Sequence, residues 1–472
     1  MSDISVRDKI KQAVINWMIA IVVLFGTTMI AGAQCGLPGT PACGGGGSSK
    51  PTVIRRSTPA KPRPAPAPAR VLRRKPVDED TVPGDEVRTK APGRAQAARL
   101  HHQGVSQVEQ GELEKGIGLF TQAIEADPSL VEAYWYRGDA RKQRSDYDGA
   151  IEDFKKVVEI NPNYGMAFAS LGNTYVQIGE FDAAVAAYGK ALDVGSDSTV
   201  LVLHNRGNVY RGMGNTTAAI DDYTRSIQLG PQNYKEYASR AAAYADLKDY
   251  DKALADYAKS LEINPSYLDA KKGRDEVMAA QAVYTAKISK YSAQISAAPD
   301  DATAYFDRGN VYRENLEYDR AISDYTEAIT RSPQNPYAFL NRGIAYSAKR
   351  DYASALADYA KAIEQNPQAP DPFYRRGAVY FDQGSFDLAI TDFSTAIQLS
   401  QRYADAYYKR GMAYYQKGQY DAAVSDISKT TELWPKLPIG FRQLAIIHDA
   451  MGQKDQAAVD RRKAREIYMG NQ

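Results

Sequence analysis

Asp307-Arg-Gly-Asn-Val-Tyr312, Asn341-Arg-Gly-Ile-Ala-Tyr346, Arg375-Arg-Gly-Ala-Val-Tyr380 and Lys409-Arg-Gly-Met-Ala-Tyr414 are four versions of one six-residue phrase. Their glycines, Gly309, Gly343, Gly377 and Gly411, are 34 residues apart each time. Earlier copies stand at Tyr136-Arg-Gly-Asp139 and Asn205-Arg-Gly-Asn-Val-Tyr210. Prolines keep the same period: Pro128, Pro162, Pro231, Pro265, Pro299, Pro333, Pro367 and Pro435. One extra residue near 195–198 stretches the interval from Gly172 to Gly207 to 35. A fixed period of this size marks a stacked array, in which each unit is too small to bury its own apolar face.

Within a unit, counted so that glycine is eighth and proline thirty-second, the pattern reads as two amphipathic helices. In the unit from Ala302, Tyr305, Arg308, Gly309 and Tyr312 share one face by their spacing of three and four. Ala321, Tyr325 and Ala328 do the same further on, and Pro333 closes the unit. Between the two lies a turn where several units carry Gly (Gly111, Gly179, Gly214, Gly384, Gly418, Gly452), as a helix end needing a left-handed residue would. The chain has 33 Tyr against 12 Phe and 3 Trp, consistent with a repeated slot that takes an aromatic body with a polar tip.

An aromatic residue, a Leu-like residue with Gly, a Tyr, then Ala, an aromatic and Pro at fixed offsets resemble the tetratricopeptide repeat, over roughly residues 97–468. The resemblance implies an all-α solenoid of about ten helix-turn-helix hairpins. It also implies a non-enzymatic scaffold that binds other proteins in a concave groove lined by the first helix of each hairpin. Two units depart from the pattern. From Leu268 the eighth position is Asp275 and no turn signal separates Ala279 from Ile288. Residues 268–301 are therefore expected to be one long helix or a degenerate repeat, dividing a first block (97–267) from a second (302–470). The last unit has Arg461 where an apolar residue belongs, as a polar terminal cap would.

Charge follows a rule of its own. Arg occupies position seven in seven regular units, and all seven have Asp at position twenty-three. The pairs are Arg137 with Asp153, Arg206 with Asp222, Arg240 with Asp256, Arg308 with Asp324, Arg342 with Asp358, Arg376 with Asp392 and Arg410 with Asp426. Units with Gln103 or Leu171 at seven have Leu119 and Ala187 instead. Charge that comes in pairs or not at all suits a structural ion pair between the two helices, because an unpaired buried charge is costly. The two irregular units break the rule, with Arg274 opposite Lys290 and Leu444 opposite Asp460.

For peptide binding, the candidates are polar first-helix residues that the core does not need. Asn310, Asn341 and Arg375 fall on one descending line over three units. They resemble the carboxylate clamp of chaperone-binding tetratricopeptide domains, in which Asn and basic residues hold a peptide C-terminus. Asn can serve a peptide donor and acceptor at once, and Arg forks onto a carboxylate. The clamp's two Lys positions hold Phe306 and Asp371, so the match is partial. Asn173, Asn205 and Lys235 repeat the idea in the first block, with Ser239 in place of Arg.

Before the repeats, Arg7, Lys9 and Lys11 precede an apolar run from Ala13 to Ala33, and no positive charge follows until Lys50. That asymmetry sends the rest of the chain outward across a membrane. Ala31-Gly-Ala33 fits a signal-peptide cleavage site, while the run is also long enough to stay as an anchor. The repeats are thus expected outside the cytoplasm: periplasmic, on the cell surface or secreted. Residues 34–96 read as a disordered Gly/Pro-rich linker, with net charge +7 from Lys50 to Arg94, which leaves −6 on the rest beyond it. Such a linker could rest on an anionic envelope surface. No aromatics interleave its charges, so nucleic acid is not an expected partner. Cys35 and Cys43 either close a small loop as a disulfide or stay as two thiols. No cofactor or metal is expected: the four His are scattered and no catalytic motif appears. The remaining alternative to a binding scaffold is a self-assembling or envelope-tethering protein.

Overall fold

A computed structural model describes residues 91–195 and 198–470, without the side chains of Ala91 and Pro92. The expected signal or anchor segment 1–33, most of the expected linker and Cys35 and Cys43 therefore lie outside the described residues. Among the described residues all regular structure is helical, and no helix is long and apolar enough to cross a membrane.

Five hairpins come first: α1 (Ala91–Glu109) with α2 (Leu113–Ala126), α3 (Val131–Gln143) with α4 (Tyr147–Ile160), and α5 (Gly165–Gln177) with α6 (Phe181–Asp193). Then come α7 (Thr199–Gly212) with α8 (Thr216–Leu229), and α9 (Tyr234–Asp246) with α10 (Tyr250–Ile263). A single helix, α11 (Leu268–Ala297), follows. Five more hairpins complete the array: α12 (Ala302–Glu314) with α13 (Tyr318–Arg331), α14 (Pro336–Ala348) with α15 (Tyr352–Gln365), and α16 (Pro370–Asp382) with α17 (Phe386–Leu399). The last are α18 (Ala404–Gln416) with α19 (Tyr420–Leu433) and α20 (Ile439–Ala450) with α21 (Lys454–Gly470). Two boundaries differ from the sequence reading or sharpen it. Helix α1 begins at Ala91, inside the stretch that composition assigned to the linker through residue 96, because Pro92 sits at a helix start, where a missing N–H costs nothing. Residues 268–297 are one 30-residue helix rather than a degenerate hairpin.

Local chemistry sets the starts and stops. Side chains of Asp146, Asn215, Asp249 and Asp351 each accept a hydrogen bond from the N–H three residues on, satisfying an orphan donor of the first turn. At position fifteen the chain adopts positive φ in every hairpin. Glycine takes the position six times, with φ from 72° to 82°. Ser145, Lys248, Leu316 and Arg350 take it in the other four, with φ from 61° to 65°. So the turn requires the left-handed conformation but not glycine itself.

Packing explains the period. An added Cβ on Gly138, Gly172, Gly207, Gly309, Gly343 or Gly377 would lie 2.5–2.9 Å from an atom of the ring at position twenty-four of the same hairpin. The first helix thus rests its bare backbone on a ring of the second. Tyr188, Tyr223, Tyr325 and Tyr359 are buried there to within 1% of full burial. Successive first helices also touch one another, whereas no such contact joins successive second helices. The array therefore curves with its first helices on the inside.

Each Arg–Asp pair is made. In six of the seven, Nε and Nη2 of the guanidinium donate to the two carboxylate oxygens at 2.7–2.8 Å. Arg137 makes the same fork on Asp153 at 2.7–3.2 Å, and Arg141 adds a bond of 2.8 Å. The aspartates are 2–8% exposed. Five arginines spend Nη1 on a hydroxyl of the preceding unit: Thr121, Thr224, Ser292, Thr326 and Ser394, at 3.0–3.1 Å. Of the exceptions to the charge rule, Arg274 pairs with its neighbour Asp275, and Asp460 takes His448, one turn beyond Leu444, at 2.6 Å.

The bond to Ser292 shows what α11 does. Its first half buries Ala270 and Val277 against hairpin five, while Ser292 in its second half anchors Arg308 of hairpin six. One rod serves as a first helix at one end and a second helix at the other. It leaves an open cleft of about 700 Å3 beside Leu254, Met278 and Ala282.

Because Asp358 is 4% exposed, Arg342→Ala should destabilise the array by about 2–4 kcal/mol. Denaturant titration of Arg342→Ala, Asp358→Ala and the double variant should show the double costing less than the two singles summed. Additive losses would mean that the two groups do not support each other.

Candidate groove on the first-helix face

Asn310 lies on α12, Asn341 on α14 and Arg375 on α16, three successive first helices on the inner face. The structure brings the two asparagines into contact. Asn341 Nδ2 donates to Asn310 Oδ1 at 2.8 Å, and the Tyr325 hydroxyl donates to the same oxygen at 2.8 Å. Arg313 Nε in turn donates to that hydroxyl at 3.1 Å. The Tyr325 ring is fully buried, and burial pushes its hydroxyl up to about 12. So the oxygen of Asn310 has both lone pairs filled from within the protein. The expectation that Asn310 is free of the core does not hold, because it is the acceptor that lets a tyrosine be buried there.

The same bridge recurs in the first block. Asn173 Oδ1 accepts from the Tyr188 hydroxyl at 2.6 Å and from Asn205 Nδ2 at 3.0 Å. Asn208, which sequence reasoning passed over, accepts from the Tyr223 hydroxyl at 2.7 Å. A signal for this was present: Asn at position nine occurs only in hairpins whose twenty-fourth residue is Tyr, never Phe. Lys235 lies at the start of α9, and its backbone N–H donates to the Asn233 side chain.

Arg375 makes no hydrogen bond to either asparagine of the second block. Its guanidinium lies 5.5 Å from the Tyr374 ring centre and 4.0 Å from Asp371, whose carboxylate accepts from the Tyr403 hydroxyl. Its Nε is buried with no hydrogen-bond partner. Burial opposes its charge, but Asp371 foremost, then Tyr403, Tyr374 and Tyr359, outweigh that and raise its pKa. What the inner face leaves unspent is therefore specific: the Asn341 carbonyl and the Asn310 amide N–H pair, beside an Arg375 guanidinium held only by the looser contacts to Asp371 and Tyr374.

Family models for the TPR repeat match residues 138–179 and 377–418. Models for the tetratricopeptide repeat match 269–336 and 306–370, 234–267, and 167–194, 201–233 and 404–436. These spans cover more than half of the chain, which belongs to the tetratricopeptide-repeat family and is, with it, a protein-interaction scaffold. No curated protein matches it. Among solved structures, MamA is 26% identical over 34% of this chain and 93% of its own, with a TM-score of 0.33. YrrB, described as a TPR protein with an unusual peptide-binding site, is 24% identical over 38% of this chain and 91% of its own, at 0.34. Yeast Tom70 is 14% identical over 78% of this chain and 91% of its own, at 0.33. At such scores these likenesses carry no functional argument for this chain.

The two asparagines should separate in stability. Asn310→Ala strands the hydroxyl of a buried Tyr and should cost about 1–3 kcal/mol, whereas Asn341→Ala should cost about 1 or less. Thermal unfolding of the two variants checks this. Equal losses would contradict the wiring.

Proposed function

We propose that the second block binds an extended segment of a partner protein along its first-helix face, on the outer side of a membrane. The observation that carries the binding reading is the amide bridge. With Asn310 Oδ1 held by Tyr325, Asn341 is fixed in place, and its carbonyl with the Asn310 N–H pair offers an acceptor and donors to a peptide backbone. Arg375, on the next first helix, supplies a cation for a carboxylate of the same segment. Asn173, Asn205 and Lys235 offer a weaker version in the first block, without the Arg. The outward location is supported by Arg7, Lys9 and Lys11 before the apolar run to Ala33.

Partner capture by the full chain from an extract should fall when Asn341→Ala and Arg375→Ala are combined. Removing either side chain should weaken binding by about 1–3 kcal/mol, while the fold stays intact by circular dichroism. Unchanged capture would move binding away from this face. For location, a reporter active only outside the cytoplasm, fused after Gln472, should be active. Activity of a cytoplasm-only reporter in its place would overturn the exported reading.

A further inference from the structure

The end of the array touches its beginning. Arg465 Nη1 on α21 donates to Asp148 Oδ2 on α4 at 2.8 Å, across 317 residues of chain. The Tyr468 hydroxyl donates to the Val176 carbonyl at 3.4 Å, and the Tyr468 ring stands edge-on to Phe181 at 5.8 Å. Arg442 on α20 lies over both rings, 5.3 Å from Phe181 and 5.8 Å from Tyr468. Burial lowers the pKa of its guanidinium, with Glu180 and then Tyr468 and Asp182 acting against the shift. Tyr468 is 5% exposed, covered by Arg442 of its own hairpin on one side and by Phe181 of hairpin three on another. The partners all lie at the turns of hairpins two and three, along one edge of the array.

Gly179 shows the same contact from the side of hairpin three. Of the turn glycines at position fifteen, Gly111, Gly214, Gly384, Gly418 and Gly452 would place an added Cβ in open space. At Gly179 that atom would meet Arg442 Nη2, which can swing aside, and would lie 3.1 Å from the Tyr468 ring, which has less room to move. Four hairpins accept a side chain in this conformation, so at Gly179 the obstacle beyond backbone strain is the terminal hairpin lying on it.

We propose that hairpin ten is a latch: α20 and α21 dock on the turns of hairpins two and three and hold the array as one closed turn around its first-helix face. The latch opens when its charge contacts are screened or its ring contact is displaced. It stands whether or not that face binds a peptide. The outer contact, Arg465 with a largely exposed Asp148, is the one salt weakens first.

Intramolecular cross-linking tests it. In the full chain with Cys35→Ser and Cys43→Ser, Glu152→Cys, one turn after Asp148 on α4, and Met469→Cys, next to Tyr468 on α21, supply two exposed thiols on either side of the seam. At low protein concentration a flexible bismaleimide should join them within one chain. Adding Arg465→Asp should lower the yield about five-fold or more, and Asp148→Arg on top should restore it. Gly179→Ala should lower the yield likewise, whereas Gly384→Ala, which carries the same backbone strain, should not. Helicity by circular dichroism separates opening from unfolding. Cross-links only between chains, no rescue by the charge swap, or equal effects of the two glycine variants would each overturn the latch.

Discussion

A backbone without a side chain lies against a ring: that contact, between position eight of one helix and position twenty-four of the next, is what the rest of the structure depends on. The ring at twenty-four can be buried only if the facing helix comes close, and in the glycine hairpins a Cβ at position eight would crowd it, while in hairpin five the small Ala241 still leaves Tyr257 5% exposed. Once the two helices are that close, an Arg at seven and an Asp at twenty-three are brought within reach on either side of the ring. Their bridge then has to be formed well, since neither charge has water to return to. The order of cause runs from the small residue to the ring to the ion pair.

The ion pair does a second task that its own hairpin does not need. With two nitrogens on Asp, the third nitrogen of five arginines reaches a Thr or Ser of the preceding unit. A fork–fork contact thus becomes a three-way joint between neighbouring hairpins. Arg206 and Arg376 face Gly189 and Ala360 at that place, which have no hydroxyl, and their joints stop at Asp. The angle between hairpins is therefore pinned more tightly at some steps than at others.

Much of this was legible in the sequence because it repeats. The 34-residue period, the turn glycines and the seven Arg–Asp pairs all show themselves by recurrence, and each comes from contacts within one hairpin. Legibility declined as contacts left the hairpin. The Tyr325–Asn310–Asn341 chain was half visible: Asn310 and Asn341 stood out as polar inner-face residues, but their commitment to a buried tyrosine did not. Asp460 lacks a charge at position seven of its hairpin because its partner, His448, sits one turn further along the helix than the repeat pattern places Arg. The seam between Tyr468 and Phe181 had no signature, since it depends on curvature accumulated over every intervening hairpin. No local pattern encodes such a sum.

Helix α11 has a consequence for how the array comes apart. In a stack of separate hairpins, loss of order can stop at any turn, because each unit leans only on its neighbours. A 30-residue helix, about 45 Å long, has no turn at which to stop. Its two ends belong to different blocks, Val277 to hairpin five and Ser292 to hairpin six. Fraying that reaches it from either side is handed to the other. The rod is thus a mechanical splice that makes two short stacks melt as one long one.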